Sequence, residues 1–212
     1  MKELTIQQFP ELIKHVGAEM KLKSVSLAEL DAKTGDGDLG VTVVLIFRAM
    51  DKYLGKHGIS ATFSELFLEL SEVVNESAPS TFGTLFSTML QSVGNGIGDV
   101  TVIDGTVFAK ALNLAAEGVM KRGKASLGDK TLLDALIPAG IAATDASGKD
   151  FGCVATVAAT AAQKGAADTE NMRATKGRAE YMGERTVGNR DPGAEAIAEI
   201  LSSISAYCSL ST

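Results

Sequence analysis

Apolar positions recur at spacings of three and four along most of the chain. Between Thr62 and Asn75, residues Phe63, Leu66, Phe67, Leu70 and Val74 form one stripe of a helix, where a strand would alternate. The same pattern predicts helices near 5 to 22, 25 to 33, 40 to 54, 63 to 76, 83 to 96, 105 to 122, 130 to 144, 151 to 166 and 193 to 207. Val41 to Phe47 is rich in β-branched residues, but its apolar run continues through Ala49 and Met50 to Tyr53 and Leu54, which predicts a buried helix. Thr5 with Gln8, Ser26 with Glu29 and Thr62 with Glu65 have the spacing of N-terminal capping pairs, so each predicts a helix start. Glycine-bearing breaks at 35 to 40, 94 to 98, 123 to 128 and 183 to 193 separate the segments. With no internal repeat or Pro-rich linker, the expectation is an all-α protein: an antiparallel helical bundle forming a single domain over 1–212.

Composition narrows the function classes. A chain of 212 residues that is 45% hydrophobic can bury a substantial core. The net charge of −6 without a basic stripe argues against a nucleic-acid partner, and 5% aromatic residues without Trp leave no base-stacking platform. Lys2-Glu3-Leu4 is not a cationic, apolar leader and no apolar run is long enough to span a bilayer, so the expectation is a soluble, cytoplasmic protein with no membrane association. Cys153 and Cys208 stand far apart with no metal-ligand spacing and read as reduced thiols.

The densest chemistry follows the second predicted helix. Asp31, Asp36 and Asp38 lie within eight positions beside Gly35, Gly37 and Gly40. Glycine permits the sharp turns that aim such side chains at one point. Carboxylates brought to about 4 Å repel by roughly 4 kcal/mol per pair at an effective dielectric of about 20, so convergence calls for a cation or a proton. Oxygen ligands without Cys or His favour magnesium or calcium, and the absence of the EF-hand ligand pattern favours magnesium. The alternative is an Asp-Gly turn that only caps the next helix.

Two further segments are glycine-rich. In the run Gly123 to Thr131, Asp129 separates Gly128 from Lys130 and no strand precedes, which rules out a P-loop and suggests Asp129 as an N-cap instead. From Lys176 to Ala194, Arg178, Arg185 and Arg190 punctuate a connection ending in Asp191-Pro192, a strong helix start. Arginines can neutralise phosphate, although by themselves at least two of these three read as surface charges.

Taken together, Asp31 with Gly35-Asp36-Gly37-Asp38, Gly128-Asp129-Lys130-Thr131-Leu132-Leu133-Asp134, and Gly177-Arg178-Ala179 with Gly183-Glu184-Arg185 and Asp191-Pro192-Gly193-Ala194 resemble the nucleotide-binding L domain of dihydroxyacetone kinases across nearly the whole chain. The resemblance implies a closed barrel of about eight antiparallel helices with ADP or ATP and two magnesium ions at one end. It implies that Asp31, Asp36 and Asp38 ligate the metals, and that Leu39, Gly40, Thr42, Ser80, Thr81, Gly123, Leu132, Arg178, Asp191, Pro192 and Gly193 contact the nucleotide. Three carboxylates and an ADP together carry about −6 while two magnesium ions supply about +4, so the metals convert repulsion into cohesion. The chain departs from the family pattern at Leu39, at Ser77 to Gly83 and at Asn189.

By the same resemblance the ketose sits on a separate K subunit, and the active phosphotransferase is a complex recharged either by a phosphoprotein (M subunit) of the sugar phosphotransferase system or by ATP exchange. A homodimer is left open. A nucleotide-binding regulator without transfer is the competing class. A phosphohistidine carrier is disfavoured because neither His15 nor His57 lies in a suggestive constellation.

Overall fold

The computed structural model describes residues 1–210, and the chain is overwhelmingly helical. Eight α-helices are found among the described residues: α1 (Phe9–Asp31), α2 (Leu39–His57), α3 (Phe63–Ser77), α4 (Thr81–Ile97), α5 (Gly105–Gly123), α6 (Leu133–Asp145), α7 (Phe151–Asp168) and α8 (Pro192–Leu210). Each packs against the next in sequence and α8 returns to α1, so the bundle closes into a ring. The apolar stripes face inward: Phe63, Leu66, Phe67, Leu70 and Val74 of α3 are all buried. Apolar side chains from most of the ring, including Phe9, Phe47, Phe86 and Ile200, enclose an interior cavity of about 180 Å³.

The all-α expectation holds, including the helix over the β-branched run, where Val43, Ile46, Phe47 and Met50 are buried. Thr62 caps α3 by accepting the Glu65 amide at 3.3 Å. Asp191 caps α8 by accepting the Ala194 amide at 2.7 Å, with Pro192 as the first helical residue. Neither Cys153 nor Cys208 is in a disulfide among the described residues. Among the described residues no helix is long and apolar enough to cross a membrane.

Four expectations are corrected. The helices read at 5 to 22 and 25 to 33 are one helix, α1, because Ser24 and Ser26 donate to the carbonyls of Lys21 and Lys23 one turn back instead of capping a new start. Asp129 does not cap α6; its carboxylate accepts from the Ser126 amide and the Thr175 hydroxyl, and the helix begins at Leu133. Gly94 and Gly96 lie inside α4, where a Cβ would meet Leu68 and Leu114 of the flanking helices. Between α7 and α8 the chain makes 3-10 turns over Arg178–Thr186, kinked at Gly183, instead of one open break. A two-residue antiparallel pair, β1 (Leu4–Thr5) with β2 (Val102–Ile103), is too short to leave a periodic signal.

Close helix contacts rest on glycine where backbones touch. A Cβ on Gly165 of α7 would stand 2.0 Å from the Asp134 carbonyl of α6, and one on Gly40 of α2 would stand 1.9 Å from the Ser24 carbonyl of α1. Gly165→Ala should therefore destabilise the protein by about 2 kcal/mol or more, since forcing two backbones apart outweighs the helix propensity of roughly 1 kcal/mol that alanine adds. Urea unfolding of the purified variant checks this, and an unchanged midpoint would show that α6 and α7 can slide apart freely.

Candidate functional site at the open end of the bundle

Asp31 is the last residue of α1 and Asp38 immediately precedes α2, so one tight connection carries all three acidic side chains. The Thr34 and Gly35 amides turn back onto the Asp31 carbonyl at 3.0 and 2.6 Å, and Gly37 supplies the positive φ (77°) that reverses the chain. One carboxylate oxygen from each of Asp31, Asp36 and Asp38 lies within 4.8 Å of the others. The Leu39 amide, free at the start of α2, donates to Asp31 Oδ2 at 3.2 Å. Across from this cluster the Arg178 guanidinium pairs with Asp36. The donor set is oxygen only, which suits a hard divalent cation.

The acidic cluster forms one end of a cleft. Its walls at that end include Asp31, Asp36, Asp38, Leu39, Thr81, Lys130, Leu132, Arg178 and Asp191 to Gly193. The cleft continues along Ser80, Thr81, Leu132 and Arg178 into a space of about 670 Å³ bounded by Asn75, Val119, Arg122 and Gly123. Of the residues that the family resemblance singles out, the structure brings all to the cleft wall except Gly40 and Thr42. Gly40 instead packs on α1, and Thr42 is buried behind the wall, donating to Ser80 Oγ at 3.3 Å. Ser80 in turn caps α4 through the Gly83 amide at 3.0 Å.

The three arginines separate as the charge pattern suggested. Arg178 lines the cleft, whereas Arg190 pairs with Glu170 and Glu195, and Arg185 reaches no further than the Met182 carbonyl. Lys176 and Arg122 add positive charge to the walls and were not anticipated. Lys176 was adjacent to Gly177-Arg178 in sequence, but Arg122 reads as one more basic residue at the end of α5, with no local sign of the cleft. Lys130 and Thr131 were likewise missed as wall residues. His15 stands beside Tyr207 and His57 stacks on Tyr53, both away from the cleft lining.

Beneath the cleft floor lies a buried polar knot. Asp134, near the start of α6, accepts the Gly128 and Thr131 amides at 2.6 and 2.7 Å and so moulds the turn before the helix. Lys130 is 3% exposed, and burial lowers its pKa against the opposing attraction of Asp191 and Glu170. Burial of the Asp191 carboxyl, although the residue keeps an open edge on the cleft, pushes it up to about 7; the Ala194 amide and Lys130 work against the rise and Asp134 adds to it.

An acid whose pKa is higher folded than unfolded holds its proton more tightly in the native state. Its contribution to stability is therefore greatest at low pH and is lost as pH rises from about 4 through about 7. Asp191→Asn keeps an oxygen for the Ala194 amide but cannot ionise. Between pH 5 and pH 8 the parent should lose more stability than this variant, measured by urea midpoints at the two pH values. Equal losses would show that Asp191 titrates below this window.

Comparison with known proteins places this geometry in a family. Residues 33–206 match the DAK2 domain family. The chain is 31% identical to the ADP-binding subunit DhaL of a PEP-dependent dihydroxyacetone kinase of Listeria innocua over 175 residues, which is 81% of each protein. It is 34% identical over 189 residues to an L-erythrulose kinase of Pectobacterium atrosepticum, covering 88% of this chain and only 32% of that one; the chain thus spans about a third of the longer kinases it matches. The crystal structure of the dihydroxyacetone kinase from C. freundii in complex with AMP-PNP and Mg2+ superposes with a TM-score of 0.74 at 26% identity, over 93% of this chain and 33% of that one. With the family match covering most of its length and the DhaL subunit matching over 81% of each protein, the chain belongs to the DAK2 domain family and is DhaL-like.

Proposed function

We propose that this chain is the nucleotide-holding subunit of a dihydroxyacetone-kinase-type phosphotransferase. In this reading the 212 residues act as one domain that presents ADP or ATP, through magnesium, to a small ketose held by a separate K-type subunit. The observation that carries the reading is the convergence of Asp31, Asp36 and Asp38 opposite Arg178 at the mouth of a long cleft. The AMP-PNP and Mg2+ of the C. freundii complex, and the ADP-binding function in the name of the Listeria subunit, support it.

The residues fit the implied group. Asp31, Asp36 and Asp38 would hold two magnesium ions, which when bound neutralise phosphate charge and align the transferring phosphoryl group. Arg178, whose partner here is Asp36, has a planar fork suited to phosphate oxygens once Asp36 engages metal. The N-terminus of α4 and the hydroxyls of Ser80 and Thr81 offer uncharged donors along the cleft. Gly123 and Leu132, beside Val119, offer an uncharged stretch of wall for the base and ribose.

Neither histidine lines the cleft, and in this reading the ketose is held on the separate K-type subunit. The PEP-dependent name of the Listeria relative supports recharging by a phosphotransferase-system M-type subunit, with ATP exchange as the alternative. Dihydroxyacetone and erythrulose, named for different relatives, bracket the ketose class at three to four carbons.

Calorimetry with ADP should show binding in magnesium and none after chelation. Asp36→Ala should weaken binding by about 100-fold or more and abolish transfer to dihydroxyacetone in the presence of a K-type subunit. Full transfer by that variant would remove the carboxylates from the mechanism; nucleotide binding by the parent without transfer to any three- or four-carbon ketose would favour a regulatory subunit.

A further inference from the structure

The segment between α7 and α8 forms one wall of the cleft, yet it contains only 3-10 turns and has few buried side chains. Among its residues from Arg173 to Arg190, only Ala174 and Thr186 are buried. A wall of this kind cannot be held in place by hydrophobic packing. What holds it comes from the other side of the cleft floor.

Lys130 stands immediately before the α6 turn with its side chain buried, and its Nζ donates to the Thr186 carbonyl at 2.6 Å, the Asn189 carbonyl at 2.6 Å and the Met172 carbonyl at 2.9 Å. An ammonium has three N–H donors, and all three are satisfied by carbonyls of this one segment. The acceptors lie on its two stems, Met172 on the way out of α7 and Thr186 and Asn189 on the way into α8. One cation therefore closes a loop whose tip carries Lys176, Gly177 and Arg178. Thr186 adds a second cross-tie, accepting the Ala174 amide at 3.0 Å.

The backbone at Lys130 supports a specific role for the side chain. Its φ is +60°, a left-handed conformation in which glycine would be relaxed and a lysine is strained. A position needed only for the turn would be better filled by glycine.

We propose that Lys130 is a positioning residue: its ammonium clips the two stems of the 172–189 loop so that Arg178 is held facing the acidic cluster, ready for a phosphate. The proposal rests on the nucleotide reading of the cleft but concerns how the chain builds one wall before any ligand arrives. Lysine is specific here. The guanidinium of arginine is planar and forked and cannot direct three donors from one atom to three converging carbonyls.

The test uses Lys130→Met, which keeps the bulk without donors, Lys130→Gly, which also relieves the left-handed strain, and Lys130→Arg. Hydrogen exchange of the full chain without nucleotide should show amides of 172–190 exchanging about 10-fold or more faster in all three variants, while α1 to α5 keep parent rates. Affinity for Mg-ADP should fall by roughly 10-fold or more, because the loop must be ordered at binding. Failure of arginine to rescue, together with the same loosening in the glycine variant, assigns the effect to the ammonium. Parent-like loop exchange in the methionine and glycine variants overturns the proposal, as does faster exchange spread evenly over all eight helices, which would make Lys130 a general stability residue. If the parent itself takes up no Mg-ADP, the proposed function fails while loop exchange still decides the clip.

Discussion

Like charges held close together need something to oppose their repulsion, and the open end of this bundle is arranged around that need. Asp31, Asp36 and Asp38 are brought within 4.8 Å by the tight turn between two antiparallel helices, not by attraction between them. The turn is kept by the backbone: amides folding onto the Asp31 carbonyl, the positive φ at Gly37, and the close seat of α2 on α1 at Gly40. Part of the charge is met within the chain, by the Leu39 amide on Asp31 and the Arg178 guanidinium on Asp36. The remainder is the unbalanced negative charge on which the proposed hard-cation site rests.

The two walls of the cleft are built by different means. The acidic wall hangs from helix ends whose inner faces carry the core, so its geometry is secured by packing, with Leu27, Leu39 and Val43 buried behind it. The cationic wall is a loop tied by hydrogen bonds to Lys130 and by the Thr186 cross-tie. Local stability follows packing, so the acidic side is the more firmly held of the two and the loop side depends on its hydrogen-bonded ties.

Legibility in the sequence followed the range of the interaction. The α3 stripe and the caps at Thr62 and Asp191 were readable because their partners lie three or four residues away. The acidic cluster was readable as a convergence of charge because its members lie within eight positions of one another, though only the likeness to a family supplied the nucleotide. Ser26 misled because a serine hydroxyl can cap a new helix or bond the previous turn, and burial of Met20 and Leu27 along one continuous face decided between them. Lys130 was invisible for a sharper reason. Its partners are backbone carbonyls 42, 56 and 59 residues away, and a carbonyl is the same whatever side chain it carries.

That last point bears on Asn189, where the chain departs from its family pattern. The structure uses the Asn189 main-chain carbonyl as a Lys130 acceptor, so the clip does not depend on which side chain occupies the position. The same logic applies to Leu39, whose side chain is buried in the core while its amide serves Asp31. At both positions the contact that shapes the cleft is made by backbone, so a change of side chain there leaves that contact in place. The shape of the cleft is thereby independent of the side chain at these two positions.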